Sequence, residues 1–411
     1  MAGDVPVREI AVVLGAEGAP AVEAAAEAAH DAGGRVLHRF GPRVVVIEAT
    51  EEVEADVRSA VRGGAAELSP TEALAELDTT GALGLEALTL RVSDQYAEAK
   101  AQRPLHGESW DSAEANSPDP PPDQVGSGAV AVAAPSLAPL SARMVGSVAV
   151  GIVIVEGPTA ALTFSNAERT QVVAEVQNGL SWLATQDPTA NLSWSYSVQV
   201  VTLNAQPGPS SLNFEQREAL WRDPALAALG FGTGLTGTQQ YAEALRTNLG
   251  TQWGYIAFFT KYPLGWFAYA SIGGPRLVMD PANDGWGPTN IDRVFAHETG
   301  HIFGAPDEYA SSGCNCGGQW GFFRRPNGNC QNCAVGGGVA CLMKSNDWAM
   351  CQFTPAHFGW AKAVGRNLDY DGDGTTDFAV WRPSEGNWYV IDSSTGANRV
   401  QQWGVGGDIP V

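Results

Sequence analysis

The sequence predicts an α+β/α/β chain with three folded parts: an N-terminal βαββαβ unit, a central domain with a mixed twisted sheet and a helix bearing paired histidines, and a short C-terminal β segment. Three observations carry this. Strand-like and helix-like stretches alternate through residues 8–68 and are punctuated by Gly33-Gly34 and Gly63-Gly64. Residues 297–307 read HETGHIFGAPD, which sets two histidines four positions apart, on nearly one face of a helix. Residues 369–377 read DYDGDGTTD and stand before alternating aromatic and aliphatic residues.

Composition bounds the rest. A chain of 411 residues, 44% hydrophobic and with 13 Trp, has material for two to four domains. A formal net charge of −21 leaves no basic surface to neutralise phosphates, so nucleic acid is not an expected partner. Scarce Lys and Arg beside many acidic residues suit a soluble extracellular protein, and a monomer is expected. The most apolar run, Gly146 to Val155, is too short to span a bilayer. Met1 to Arg8 shows no charged-then-apolar leader, so secretion is an expectation drawn from the cysteines instead. All six, Cys314, Cys316, Cys330, Cys333, Cys341 and Cys351, crowd one Gly- and Asn-rich region and read as a disulfide staple. A structural zinc knot of Cys314, Cys316, Cys330 and Cys333 is the rival reading, though the single-residue gap in the first pair fits it poorly.

Taken in order, residues 1–70 hold a strand from Arg8 to Leu14, a helix from Ala21 to Ala32, strands Arg35–Phe40 and Arg43–Glu48, a helix Glu51–Arg62 and a short last strand. That order is the ferredoxin-like one. It resembles inhibitor-type propeptides that fold with proteases and block them. Residues 71–145 add helical and extended pieces and then a Pro/Gly-rich linker suited to cleavage. The central domain, 146–365, opens on the continuously apolar strand Ser147–Val155. Ser165 and Glu168 form a capping box ahead of a helix that lines up Val172, Val173, Val176, Leu180 and Leu183. Strands Ser193–Leu203, Trp253–Phe259 and Trp266–Met279 follow, the last broken at Gly273-Gly274-Pro275. Thr289 or Asn290 is positioned to cap the histidine helix.

Within HETGHIFGAPD, His297 and His301 can offer two imidazoles to one cation, and Glu298 beside them can accept a proton from a water. Gly304 lets the chain turn off the helix and bring Asp307 within reach as a third ligand; Glu308 next to it is the alternative. A bare HExxH also occurs on solvated helix faces. Here Ile291, Val294, Phe295 and Ile302 form an apolar stripe at about 100° per residue, flanked by both histidines.

Downstream, Cys341-Leu342-Met343 and the Thr354-Pro355 helix start complete a pattern that resembles the metzincin metallopeptidases over roughly residues 146–365, with Met343 as the Met-turn residue. The Asp at the third position resembles the snapalysin type, where most of that clan has His. The resemblance implies catalytic zinc on His297, His301 and Asp307, Glu298 as the base, and an edge strand at Phe267–Ile272 that pairs with an extended polypeptide substrate. It also implies a secreted endopeptidase made as a zymogen, with its own N-terminal prosegment as a partner. Two other readings stand beside it: a surface-binding protein with a structural zinc site, and a zinc hydrolase of a non-peptide amide.

In residues 366–411, Asp369, Asp371, Asp373, Thr375 and Asp377 have the spacing of a calcium loop, with Gly374 at its sixth position. Strand-like residues 378–381 and 387–391 make the segment resemble one FG-GAP or VCBS-type repeat, a calcium-stabilised β-propeller blade. A lone repeat has no neighbour to bury its faces, so this part is expected to be truncated.

Overall fold

The structure, a computed structural model, describes residues 7–14, 18–62, 74–113, 140–283, 285–360, 377–382 and 384–402. The chain divides into two compact units, Met1–Trp360 and Ala361–Val411. It is a mixed α+β protein: the first unit holds a mixed sheet and the second a small antiparallel one. Among the described residues no helix is long and apolar enough to cross a membrane.

In the first unit β1 (Val7–Val13), α1 (Ala19–Asp31), β2 (Arg35–Phe40), β3 (Val44–Thr50) and α2 (Glu54–Arg62) come first. β3 lies antiparallel between β1 and β2, as the ferredoxin-like order requires of its first three strands. The expected closing strand after Gly63-Gly64 falls outside the described residues. Helices α3 (Thr79–Arg91) and α4 (Asp94–Ala101) follow, capped by Asp78 and Ser93.

The remaining strands are β4 (Ser147–Glu156), β5 (Ser193–Thr202), β6 (Trp253–Thr260), β7 (Ala268–Ala270) and β8 (Arg276–Met279). They do not form a sheet of their own. β2 pairs in parallel with β5, setting His38 opposite Trp194 and Phe40 opposite Tyr196. One eight-stranded sheet results, in the order β1-β3-β2-β5-β4-β6-β8-β7. Its middle is parallel and doubly covered, which is why β4 is buried almost throughout.

Alternation along β4 decides which helices cover which face. Val148, Val150, Ile152 and Ile154 point to the core shared with α3, α5 (Asn166–Gln186) and the histidine helix α8 (Ile291–Ile302). Ala149, Val153 and Val155 point to a second core under α6 (Phe214–Ala228) and α7 (Gly234–Asn248). α5 starts at the expected capping box, with Ser165 and Glu168 each serving the other's backbone. A short helix α9 (Thr354–Phe358) ends the unit with Pro355 in its first turn.

The second unit is the antiparallel sheet β9 (Phe378–Arg382), β10 (Asn387–Ile391) and β11 (Asn398–Gln402), with β10 in the middle. Of the expected calcium loop, Asp369, Asp371, Asp373 and Thr375 lie outside the described residues. Asp377 is buried, and its Oδ1 accepts the Ser393 N–H at 2.7 Å.

Candidate metal centre

The site is built on α8, every residue of which is buried. Asn290 stands at its N-cap, yet neither it nor Thr289 caps the helix with a side chain, contrary to expectation. The Asn290 amide instead donates to the carbonyls of Trp286 (2.7 Å) and Pro104 (2.9 Å). A buried charge cluster holds this end of the helix. Asp292 is gripped by Arg103 at 3.1 Å and Lys100 at 3.0 Å, and Lys100 also pairs with Glu175. Burial pushes the Asp292 carboxyl up, but Lys100 and Arg103 outweigh it and hold the group below its ordinary range. Burial and the neighbouring Asp292 push Glu175 up.

At the other end, the helix closes on Gly304, whose φ of +86° is the left-handed conformation that glycine tolerates. A Cβ there would also stand 2.9 Å from Gly321 Cα. The turn does two things. It swings the Ala305 carbonyl onto His301 Nδ1 at 2.8 Å, and it delivers Asp307 to the histidines. His297 Nδ1 meets the Leu342 carbonyl at 3.0 Å. A carbonyl only accepts, so both rings carry their proton on Nδ1 and turn a bare Nε2 lone pair inward.

Those lone pairs converge with a carboxylate oxygen. His297 Nε2 and His301 Nε2 are 3.1 Å apart, and Asp307 Oδ1 is 3.3 and 3.2 Å from them. Bonds of about 2.0–2.1 Å in a tetrahedral site set donors about 3.3–3.4 Å apart. The three groups can therefore hold one metal ion. They leave a fourth corner of such a tetrahedron to a further ligand. Both histidines, Glu298 and the inward-facing Asp307 Oδ1 are buried, while the Asp307 side chain as a whole is 20% exposed.

Met343 lies buried against the helix: a Cβ on Gly300 would stand 2.6 Å from its Sδ. Glu308, the alternative ligand, faces elsewhere. Its carboxylate accepts from Asn329 Nδ2 (2.6 Å), Cys351 Sγ (3.1 Å) and Thr354 Oγ1 (3.2 Å), while its N–H donates to the Met343 carbonyl. Nearby, the Asp111 carboxylate accepts from Ser109 Oγ and from the Ser311 N–H.

Two disulfides, Cys314–Cys330 and Cys316–Cys333, staple the loop between α8 and α9. Their formation uses the four sulfurs that the zinc-knot reading needed. Cys341 and Cys351, expected to pair as well, are buried thiols. The hydroxyl of Thr354 lies 3.3 Å from each sulfur, and Glu308 accepts from Cys351, so hydrogen bonds occupy both. Burial pushes the Cys341 thiol well up, which keeps it protonated.

One residue at this site is missed by sequence reasoning. Trp110 is fully buried, packs its ring edge-on to His297 at 5.4 Å, and donates Nε1–H to the Leu342 carbonyl at 2.7 Å. A single tryptophan in the polar stretch His106–Ser112 carries no periodic signal that points to a site. No protein-family model matches the chain, and no curated protein matches it, so the chemistry of the site rests on this geometry.

Proposed function

We propose that the chain is a secreted zinc-dependent endopeptidase. The observation behind this is the convergence of two proton-committed imidazoles and one carboxylate on a single point. A nitrogen-nitrogen-oxygen donor set suits zinc. Zinc, when bound there, supplies an activated water and polarises a substrate carbonyl. His297, His301 and Asp307 hold it, and the Leu342 and Ala305 carbonyls orient the rings. Glu298, buried next to His297, accepts the proton of the attacking water and returns it to the leaving amine. β7 lies at one edge of the sheet among the described residues, and Gly273 just past it donates to the His301 carbonyl at 2.9 Å. An extended polypeptide laid along that edge is thereby brought to the metal helix. The two disulfides suit an oxidising compartment. For the second unit we propose structural calcium held by Asp369, Asp371, Asp373, Thr375 and Asp377, checked by calcium titration of residues 361–411 within the full chain.

The test is elemental analysis of purified protein beside hydrolysis of an unfolded protein substrate, with and without chelator. Glu298→Ala is expected to keep zinc and lose turnover. Zinc-free wild type, or full turnover in Glu298→Ala, rejects the proposal. Zinc without peptide hydrolysis, but with cleavage of a small amide, moves the assignment to a non-peptide substrate.

A further inference from the structure

We infer that residues 100–112 are a permanent wall of the metal centre with Trp110 as a positioning residue for His297, and that the N-terminal part stays bound after any cut between residues 114 and 139. The positioning role rests on the metal reading above; the retention does not.

Trp110 and His297 share one acceptor. The Leu342 carbonyl takes the indole N–H at 2.7 Å and the imidazole Nδ1–H at 3.0 Å, so both of its lone pairs are committed and its direction is set. The indole also packs edge-on to Trp286 at 4.9 Å and is fully buried. Its contact is on the Nδ1 side of His297, away from the metal-facing Nε2. It supports the ligand through the Leu342 carbonyl.

The backbone around Trp110 is equally committed. Its N–H donates to the Lys344 carbonyl at 3.1 Å. Gly107 N–H donates to Asn346 O, and Asn346 N–H returns to Glu108 O, both at 2.8 Å. The segment thus runs antiparallel to the residues just after Met343, with Ser109 bridging Ser345. Arg103 and Lys100 close on Asp292 at the head of the metal helix, and His106 Nδ1 lies 3.0 Å from Arg293 Nη1. One short stretch therefore braces both the metal helix and the turn carrying Met343.

Further back, β2 pairs with β5, and Phe40 stacks on Tyr196 at 4.2 Å across that pairing. Release of the N-terminal part would strip β1, β3 and β2 from a continuous sheet, expose the edge of β5 and empty the Trp110 site. A removable inhibitor presents a separable surface; here the core is shared.

A site-specific protease sequence placed between residues 114 and 139 tests retention. After cutting, both fragments are expected to co-elute on size exclusion and to part only in denaturant; separation in native buffer overturns retention. Trp110→Phe, which keeps an aromatic ring but not the donor, tests positioning through zinc retention against a competing chelator. About tenfold weaker retention with an unchanged elution profile is expected. Retention equal to wild type overturns the role, and Trp110→Ala, with the ring gone as well, is expected to lose more. A wild type that takes up no zinc rejects the metal centre and the positioning role together, while the fragment result still decides retention.

Discussion

Gly300 and Met343 are in close contact: a Cβ at Gly300 would lie 2.6 Å from Met343 Sδ and 3.2 Å from its methyl carbon, so Met343 would have to shift to admit one. The fourth residue of HETGH is therefore matched to what lies under it. Met343 in turn is tied through its carbonyl to Glu308 N–H, one residue past Asp307. Gly300→Ala should destabilise the protein by about 1–3 kcal/mol through overpacking. The cost should shrink when Met343→Ala is already present, because the clash is then gone. Denaturant unfolding of the four variants of that cycle measures it; equal costs in both backgrounds would show that the contact is relieved elsewhere.

Asp307 and Glu308 are adjacent and do different things. Asp307→Ala should weaken zinc retention by more than the roughly 100-fold cost of losing an outer-shell partner. Glu308→Gln should keep zinc and lower thermal stability, since Glu308 gathers Asn329, Cys351 and Thr354 rather than the metal. Chelator competition and a melting curve on both variants separate the roles. The reverse pattern would make Glu308 the ligand.

Acid should loosen the junction between β2 and the rest of the sheet. His38 is buried between Tyr196 Oη on Nδ1 and Ser181 Oγ on Nε2, both at 2.8 Å, and burial pushes its pKa from 6.5 down to about 3. The folded value is the lower one, so the unfolded chain takes up the proton first. The stability tied to His38 is whole above pH 6.5 and is lost as pH falls toward 3. The loss should reach about 2 kcal/mol at pH 5. Burial raises Glu9, but Arg91, 2.7 Å away, outweighs it and brings Glu9 to about 2, so its share is lost between 4.5 and 2. Unfolding midpoints from pH 7 to pH 5 should fall steeply in the wild type and less so in His38→Gln; parallel slopes would contradict the assignment.

Thiol titration in denaturant, without reductant, should find two thiols per chain, from Cys341 and Cys351. None would mean that these two also bond. Four or more would mean that a staple of the loop is missing.

Much of the site is written in local sequence, because helix geometry alone brings His297 and His301 together and a glycine is the usual way off a helix. Most strands of the first unit are legible for the same reason: runs such as Ser147–Val155 have no polar break. Two helices are not. α6 carries Pro224 and buries Glu218 and Arg222, and α7 starts at Gly234 and contains Gly237, so neither shows a clean apolar stripe. Their charges make sense only in three dimensions, where Glu218 meets both Arg222 and Arg276. The fusion of the two sheets through β2 and β5 is equally hidden. It pairs residues more than 150 positions apart, and no local pattern records a partner. Trp110 belongs to the same class, since its value comes from a carbonyl far along the chain.

The two staples overlap along the sequence: residues 316–330 lie inside the Cys314–Cys330 and Cys316–Cys333 rings at once. A single backbone nick within that stretch leaves the new ends joined by two covalent links. For the peptidase proposed above, a self-inflicted cut in this loop would leave the chain covalently joined, and the damage would show on a gel only after reduction.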